Sequence, residues 1–568
     1  MSNYKKIETA HILNIRGTRP ERAKLYFSLL DSANVKTNTF DFLSNRNSEI
    51  ILSAPTIVGI LKTNTVINNL YRNLILPYIY KLSNDEIKKI AFELSKVSNK
   101  SRIDAFSALY QADVYMAIIF AAKFLNKTLI KEVPSIPGCT SAVALSGATK
   151  EGRILACRNM DYPIVGHWEE NPVVAFYEPT EPNSVPHVSI STAGVPAEGL
   201  TALNKEGISV FTHAHFSKEV SFSGMPVVEL GNLIINHAKS ISEAIDICRK
   251  HKPMGSWAFV IGSAKENRSV TIEMTSSTLD VYEPFGKINA HSNFFKSKEL
   301  RGRDLFISDA VAKDIIHRYN RICELLTPLT GTLEMKDLLN ALRDTLDLET
   351  GKNRVIGNTI NVVNTIKSVG FDLSNEDLFL SMGSAEYTAP AQGKYLHLNL
   401  KNGFDGISHQ YFNLTPNCPN LLEAIKNHKL AYYNYNILKL PSLTSEAASY
   451  LEEAVRAYPP DDNLKLQLAY LYFKEKKFHD AKEILLNLNP GSVSTYSWVV
   501  SRLFLARIYD LLDLRDSALI VYSEAFPLTL KEKELRKAFK KGLSRKFTSS
   551  EIESVIIDLQ FVDPIDFG

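Results

Sequence analysis

Gly138-Cys139-Thr140-Ser141-Ala142-Val143-Ala144, a turn at Thr149-Lys150-Glu151-Gly152, and Arg153-Ile154-Leu155-Ala156-Cys157-Arg158-Asn159-Met160-Asp161-Tyr162 read as one β-hairpin. Pairing outward from the turn sets residue 139 across from residue 162. Arg158 and Asp161 are thereby carried back to Cys139. In that register Arg158 shares the face of the cysteine and Asp161 does not, and a bulge or a slip by one residue reverses the two. Proximity follows from the hairpin in either case.

The hairpin marks a change of texture. Residues 1–138 read as mostly helical, with Ser83 as a cap for SNDEIKKIAFELSKVSNK and apolar Ile87, Ile90, Ala91 and Leu94 at helical spacing. This segment ends at Pro134-Ser135-Ile136-Pro137-Gly138, which cannot continue a helix. Residues 139–415 alternate strands (VVAFYEP, HVSISTAG, GISVFTHAH), a helical stretch from Pro226 to His251, strands WAFVIGSA and SVTIEMTS, helices around Arg318 and Leu338, and late strands TIKSVGFDL, LFLSMG and YLHLNL. That order is α+β, in layers of helix and sheet.

Residues 416–568 are helical. Leu468-Ala469, Tyr472 and Ala481 match Leu505-Ala506, Tyr509 and Ala518, and Ala447 precedes Ala481 by 34 residues. The pattern resembles tetratricopeptide repeats over about residues 430 to 528, and an unrelated helical bundle is the competing reading. The basic run KEKELRKAFKKGLSRKF has the spacing of a solvated helix face.

Composition excludes several classes. A length of 568 residues calls for two or three units, and a net charge of +3 with 22% charged residues gives no support to nucleic-acid binding. The most apolar run, Val114 to Ala122, is far short of the roughly 20 residues needed to span a bilayer. No apolar run near the start could serve as a signal-peptide core. Five scattered cysteines (Cys139, Cys157, Cys248, Cys323, Cys418) fit a reducing compartment, so a cytoplasmic protein is expected. No phosphate-cradling loop is present, His213-Ala214-His215 lacks a nearby acidic or cysteine partner for a metal, and no cofactor is indicated.

The chemistry converges on Cys139. A guanidinium beside a thiol favours the thiolate, which is the nucleophile. If the peptide bond before Cys139 is broken, the new α-amine, with a reference pKa of about 7.7 to 8.0, can take the thiol proton. Asp161 could hold that amine.

Cys-Thr-Ser, a Gly-containing turn, then Arg-Asn-Met-Asp-Tyr resembles the isopenicillin-N acyltransferase group of N-terminal-nucleophile hydrolases, and ILNIRGTRPER resembles that group's opening strand and Gly turn. The resemblance implies an αββα sandwich, self-cleavage between Gly138 and Cys139, and hydrolysis or transfer of an acyl group from a non-peptide amide. It makes Cys139 the nucleophile, Arg158 the thiolate-stabilising arginine and Asp161 the acid that binds the free amine. Asn293 matches the oxyanion-hole asparagine and Arg318 a later active-site arginine. The chain departs from the pattern at Cys157, where glycine is usual, and at Phe294, where histidine is usual. A small-molecule amide or acyl substrate is expected, and a protein partner for the helical repeats. A different class stays open: an inactive relic serving as a repeat-based interaction scaffold.

Overall fold

The structure is a computed structural model and describes residues 3–37, 73, 76–83, 85–98, 101–124, 138–162, 164–306, 308–382, 390–439, 443–529 and 532–568. The breaker-rich stretch Pro134–Pro137 lies outside them. Strands β1 (Tyr4–Ile7) and β2 (Ala10–Gly17) precede helix α1 (Arg19–Ser32). Helices α2 (Leu76–Leu82), α3 (Asp85–Ser98) and α4 (Arg102–Phe124) follow. The N-terminal segment therefore opens with strands before it turns helical. Ser83 follows α2, and its hydroxyl donates to the Tyr80 carbonyl at 2.8 Å.

The hairpin is β3 (Gly138–Ala144) and β4 (Leu155–Asp161). Strands β5 (Pro172–Pro179), β6 (His187–Thr192), β7 (Thr201–Asn204) and β8 (Ile208–Ala214) come next. They lead to α5 (Val227–His237) and α6 (Ile241–Lys250). After β9 (Trp257–Ser263), β10 (Arg268–Met274), β11 (Leu279–Tyr282) and β12 (Ile288–His291) the chain forms α7 (Asp309–Leu326) and α8 (Met335–Leu342). The short pair β13 (Leu346–Asp347) and β14 (Lys352–Asn353) precedes β15 (Thr365–Asp372), β16 (Asp377–Ser381), β17 (Tyr395–Asn399) and β18 (Ser408–Phe412).

Two large sheets result. One has the order β1-β2-β5-β6-β7-β8-β9-β10-β11, the other β12-β3-β4-β15-β16-β17-β18. Alternation along each strand makes both sheets two-faced. On β3 and β4, Val143 and Ala156 point into the apolar layer between the sheets, with Val174, Phe211, Val260 and Phe371. Ala142, Leu155 and Cys157 face outward onto Ile322 of α7 and Leu338 and Leu339 of α8. The nine-stranded sheet is covered on its outer side by α5 and α6 through Leu230, Ile234 and Cys248, with Phe106 and Tyr110 of α4 in the same cluster. The architecture is an αββα sandwich.

The hairpin register differs from the one read from the turn. Gly138 pairs with Asp161, Cys139 with Met160 and Ser141 with Arg158. The connection is asymmetric, because Ser146–Ala148 makes a 3-10 turn and Thr149 donates its hydroxyl to the Arg153 carbonyl. The shift is by two positions, so parity is kept and Arg158 still shares the face of Cys139.

The C-terminal helices α9 (Pro419–Tyr432), α10 (Thr444–Ala457), α11 (Asp462–Lys474), α12 (Phe478–Leu486), α13 (Thr495–Leu511), α14 (Arg515–Ala525) and α15 (Lys533–Ser544) pack consecutively. Ala447, Ala469, Ala481, Ala506 and Ala518, the small residues of the sequence pattern, are all buried. This region shares a single apolar cluster with Val355, Ile356 and Val363 of the sandwich. Asp461 fastens the join: its carboxylate accepts from the backbone N–H of Val355 at 2.6 Å and from Arg354 Nη1 at 3.3 Å, and both side chains are fully buried. Removing Asp461 would strand the Arg354 charge, so Asp461→Ala should lower stability by about 3–5 kcal/mol in a urea titration.

Candidate active site

Cys139 sits at the start of β3 and is 5% exposed. Its Sγ lies 3.1 Å from Nη2 of Arg158, which the hairpin brings to the same face. Arg158 is 2% exposed, and its other acceptors are neutral: Nη1 donates to Thr201 Oγ1 at 2.6 Å and to the Leu200 carbonyl, and Nη2 to the Thr212 carbonyl. Among the described residues no carboxylate pairs with it within 4 Å. A buried guanidinium held by dipoles alone is costly, and the sulfur is the atom beside it that can carry the counter-charge.

The second arginine works on the other side of the strand. Arg318, on α7, donates through Nη1 to the Cys139 carbonyl at 2.9 Å and to Thr140 Oγ1 at 3.0 Å, and through Nη2 to Asn293 Oδ1 at 3.2 Å. Asp314, one helical turn earlier, accepts from its Nε at 3.0 Å. Asn293 Oδ1 also accepts the N–H of Cys139 at 2.8 Å, and its Nδ2 donates to the Ala214 carbonyl at 2.9 Å. A side-chain amide has two hydrogens on nitrogen, so one remains for a further acceptor.

Asp161 faces Gly138 across the ladder. A Cβ at position 138 would lie 3.1 Å from Arg318 Nη2 and 3.2 Å from Asp161 Oδ2, so a side chain there would require these two charged groups to give by a few tenths of an ångström. Asp161 Oδ1 accepts from Thr365 Oγ1 at 2.7 Å, whereas Oδ2 is buried with no hydrogen-bond donor on it and stands 3.9 Å from Arg318. Burial pushes this carboxyl up to about 6, against the pull of Arg318 and Thr365.

The structure thus gathers Cys139, Arg158, Asp161, Asn293 and Arg318 around one peptide bond. Sequence reading had no means to reach Thr201, Thr212 or Thr365, which hold the charged groups from other strands. Asp314 was legible as an i, i+4 partner of Arg318 but was not singled out.

His213 and His215 are not set out as metal ligands. His213 Nε2 is 2.9 Å from Ser141 Oγ, and His215 Nε2 is 2.9 Å from His291 Nε2. Among the described residues no three His, Cys, Asp or Glu side chains are grouped to hold a metal. Burial drives His213 and His291 well below the usual imidazole range and His215 to about 3, helped at His213 by Arg158. This is a neutral polar layer between the sheets.

Cys139, Arg158 and Asp161 open onto a cavity whose walls are mostly apolar, including Leu109, Val195, Val228, Trp168 and Trp257. Arg19, Arg22, Glu198 and Glu229 also line it, and they pair among themselves: Arg19 with Glu229, Arg22 with Glu198 at 3.3 Å. No helix among the described residues is long and apolar enough to cross a membrane.

Comparison with known proteins gives one family match. Residues 148–387 match the family model of acyl-coenzyme A:6-aminopenicillanic acid acyl-transferase, a span that begins just after β3 and takes in Arg158, Asp161, Asn293 and Arg318. No curated protein matches the chain. Over residues 148–387, less than half of the chain, the sandwich is thus similar to the acyl-coenzyme A:6-aminopenicillanic acid acyl-transferase family.

Proposed function

We propose that this chain is a self-cleaving cysteine amidohydrolase or acyltransferase in which Cys139 is the nucleophile. The observation that carries the reading is the buried Arg158 guanidinium with the Cys139 sulfur as its neighbour and no carboxylate paired to it. An inactive scaffold would leave that charge buried to no purpose.

In the first event the Cys139 sulfur attacks the Gly138 carbonyl carbon. The Gly138–Cys139 C–N bond breaks, the thiol proton goes to the departing nitrogen, and an internal thioester forms. Water hydrolyses it, freeing the Gly138 carboxylate and the Cys139 thiol, beside the α-amine released when the C–N bond broke. Turnover repeats the chemistry in trans: the amine takes the thiol proton, sulfur adds to an amide carbonyl, and the proton passes to the leaving amine. The acyl thioester then goes to water or to an acceptor amine. The remaining Nδ2 hydrogen of Asn293 would stabilise the oxyanion, a contribution usually of about 3 kcal/mol. Asp161 Oδ2 would accept from the ammonium, which supplies the missing counter-charge.

Residues 1–138 are proposed to stay bound after cleavage as a subunit. β2 pairs in parallel with β5 from His11 to Gly17. The Asp113 carboxylate, on α4, accepts from the Val227 N–H at the start of α5 at 2.9 Å and from Trp257 Nε1 at 2.8 Å. The cysteine pattern supports a cytoplasmic setting.

Denaturing mass spectrometry should show two fragments, the larger beginning at Cys139, that run together under native conditions. Cys139→Ala should remain one chain without amidase activity; a cut Cys139→Ala chain would sink the assignment. Arg158→Met should slow alkylation of Cys139 by iodoacetamide at pH 7 by about tenfold or more, since the thiolate loses its counter-charge. In the uncut Cys139→Ala protein the raised Asp161 pKa, about 6 against an ordinary 3.8, means the folded state holds a proton that the unfolded chain gives up. Stability from this group is present below pH 4 and is lost as pH rises through 6. Adding Asp161→Asn should remove on the order of 3 kcal/mol of that pH dependence between pH 4 and 7, measured by urea titration.

A further inference from the structure

The segment from Tyr162 to Asn171, between β4 and β5, supplies Tyr162 and Trp168 to the cavity wall. It does not rest on the sandwich alone. Ile164, Val165 and Trp168 are buried in the same apolar cluster as Leu421, Ile425 and Tyr432 of α9. Gly166, at φ +85°, passes so close to the Tyr433 ring that a Cβ there would lie 2.6 Å from it. Glu169 is fully buried; it accepts from the Gly166 N–H at 3.0 Å and from Lys429 Nζ of α9 at 2.9 Å.

A second cation faces this carboxylate. Lys367, on β15, is buried with no hydrogen-bond partner on Nζ. Burial pushes its ammonium down to about 8 while Glu169 draws it up. Glu169 is thus neutralised from the sheet as well as from the helix, but only Lys429 bonds to it directly. A buried ion pair contributes little net stability and much geometry, because each partner must stay where the other is. The pair therefore fixes position: it ties the segment that carries Trp168 to the helical domain.

We propose that Lys429 and Glu169 are positioning residues for substrate selection: through them the C-terminal helical domain holds Trp168 as the wall that seats an apolar acyl group beside Cys139. This rests on the reading of Cys139 as the nucleophile of that cavity. It gives the helical domain a part in choosing the substrate. The remaining walls, Leu109, Val195, Val228 and Trp257, share the apolar character the acyl group would meet.

The test uses the full-length protein, wild type and Lys429→Met, which keeps the aliphatic stem and leaves Lys367 to neutralise Glu169. Hydrogen–deuterium exchange reads the tether without reference to chemistry at Cys139. Amides from 164 to 171 should exchange faster by about tenfold in the variant, with β3 and β4 unchanged. Exchange equal to wild type would overturn the proposal. Selectivity is read by mass spectrometry of Cys139 alkylation with iodoacetamide and with its N-phenethyl analogue. Lys429→Met should leave the first rate within about twofold of wild type and lower the second by up to about tenfold, the scale of a lost aromatic contact. Equal changes in both rates would mean general loosening and would also overturn it. Should Lys429→Met fail to fold, Tyr433→Leu tests the same contact from its apolar side, with the same expectations. A wild-type Cys139 that resists both reagents would count against the nucleophile assignment, and the exchange data would still decide the tether.

Discussion

A guanidinium buried between two sheets has to find its counter-charge inside the protein, and Arg158 organises the site around that need. Its hydrogen bonds reach the Leu200 and Thr212 carbonyls and the Thr201 hydroxyl, so the start of β7 and the end of β8 in the nine-stranded sheet are held against β4 of the other sheet by one side chain. None of these acceptors carries a full charge. The sulfur of Cys139 closes the shell at 3.1 Å. In a medium of low dielectric each of these contacts is stronger than it would be in water. Packing of the two sheets and placement of the sulfur beside the guanidinium are therefore one constraint.

The sheet order explains why so much of the chain is needed to build this. β4 lies beside β15, which begins about two hundred residues later, β3 lies beside β12, and β2 from the N-terminal segment pairs with β5 in the other sheet. Around the Gly138–Cys139 bond, Asp161 comes from β4, Asn293 from just after β12, Arg318 from α7 and Thr365 from β15. Long-range pairings of this kind form late in folding. The groups around this bond therefore stand together only once the strands and α7 have assembled.

The hairpin was readable because a turn flanked by two apolar strands fixes proximity whatever the register, and because Cys139 and Arg158 keep the same parity when the pairing shifts by two. The register itself was not, since the 3-10 turn at Ser146–Ala148 depends on bonds to Arg153 and to the distant Leu333 that no local pattern announces. Apolar runs of alternating character revealed the strands of the sandwich. The threonines and Trp168 were invisible for a simpler reason: a hydroxyl that supports an arginine, or an indole that lines a cavity, reads in sequence like any other buried strand or loop residue.

The helical domain illustrates the same limit from the other side. Its alanine spacing suggests a stack of helix pairs, and such stacks commonly offer concave surfaces to partners. Yet Asp461 grips the Val355 N–H and Arg354, Lys429 grips Glu169, and the apolar cluster runs without a break from α9 into the segment after β4. Burying two ion pairs at a domain join costs desolvation that a loosely tethered module would have no reason to meet. The two regions therefore share a packed, ion-paired contact here. A change in the helical domain that displaces α9 must be felt at Trp168, within the wall of the cavity that Cys139 serves.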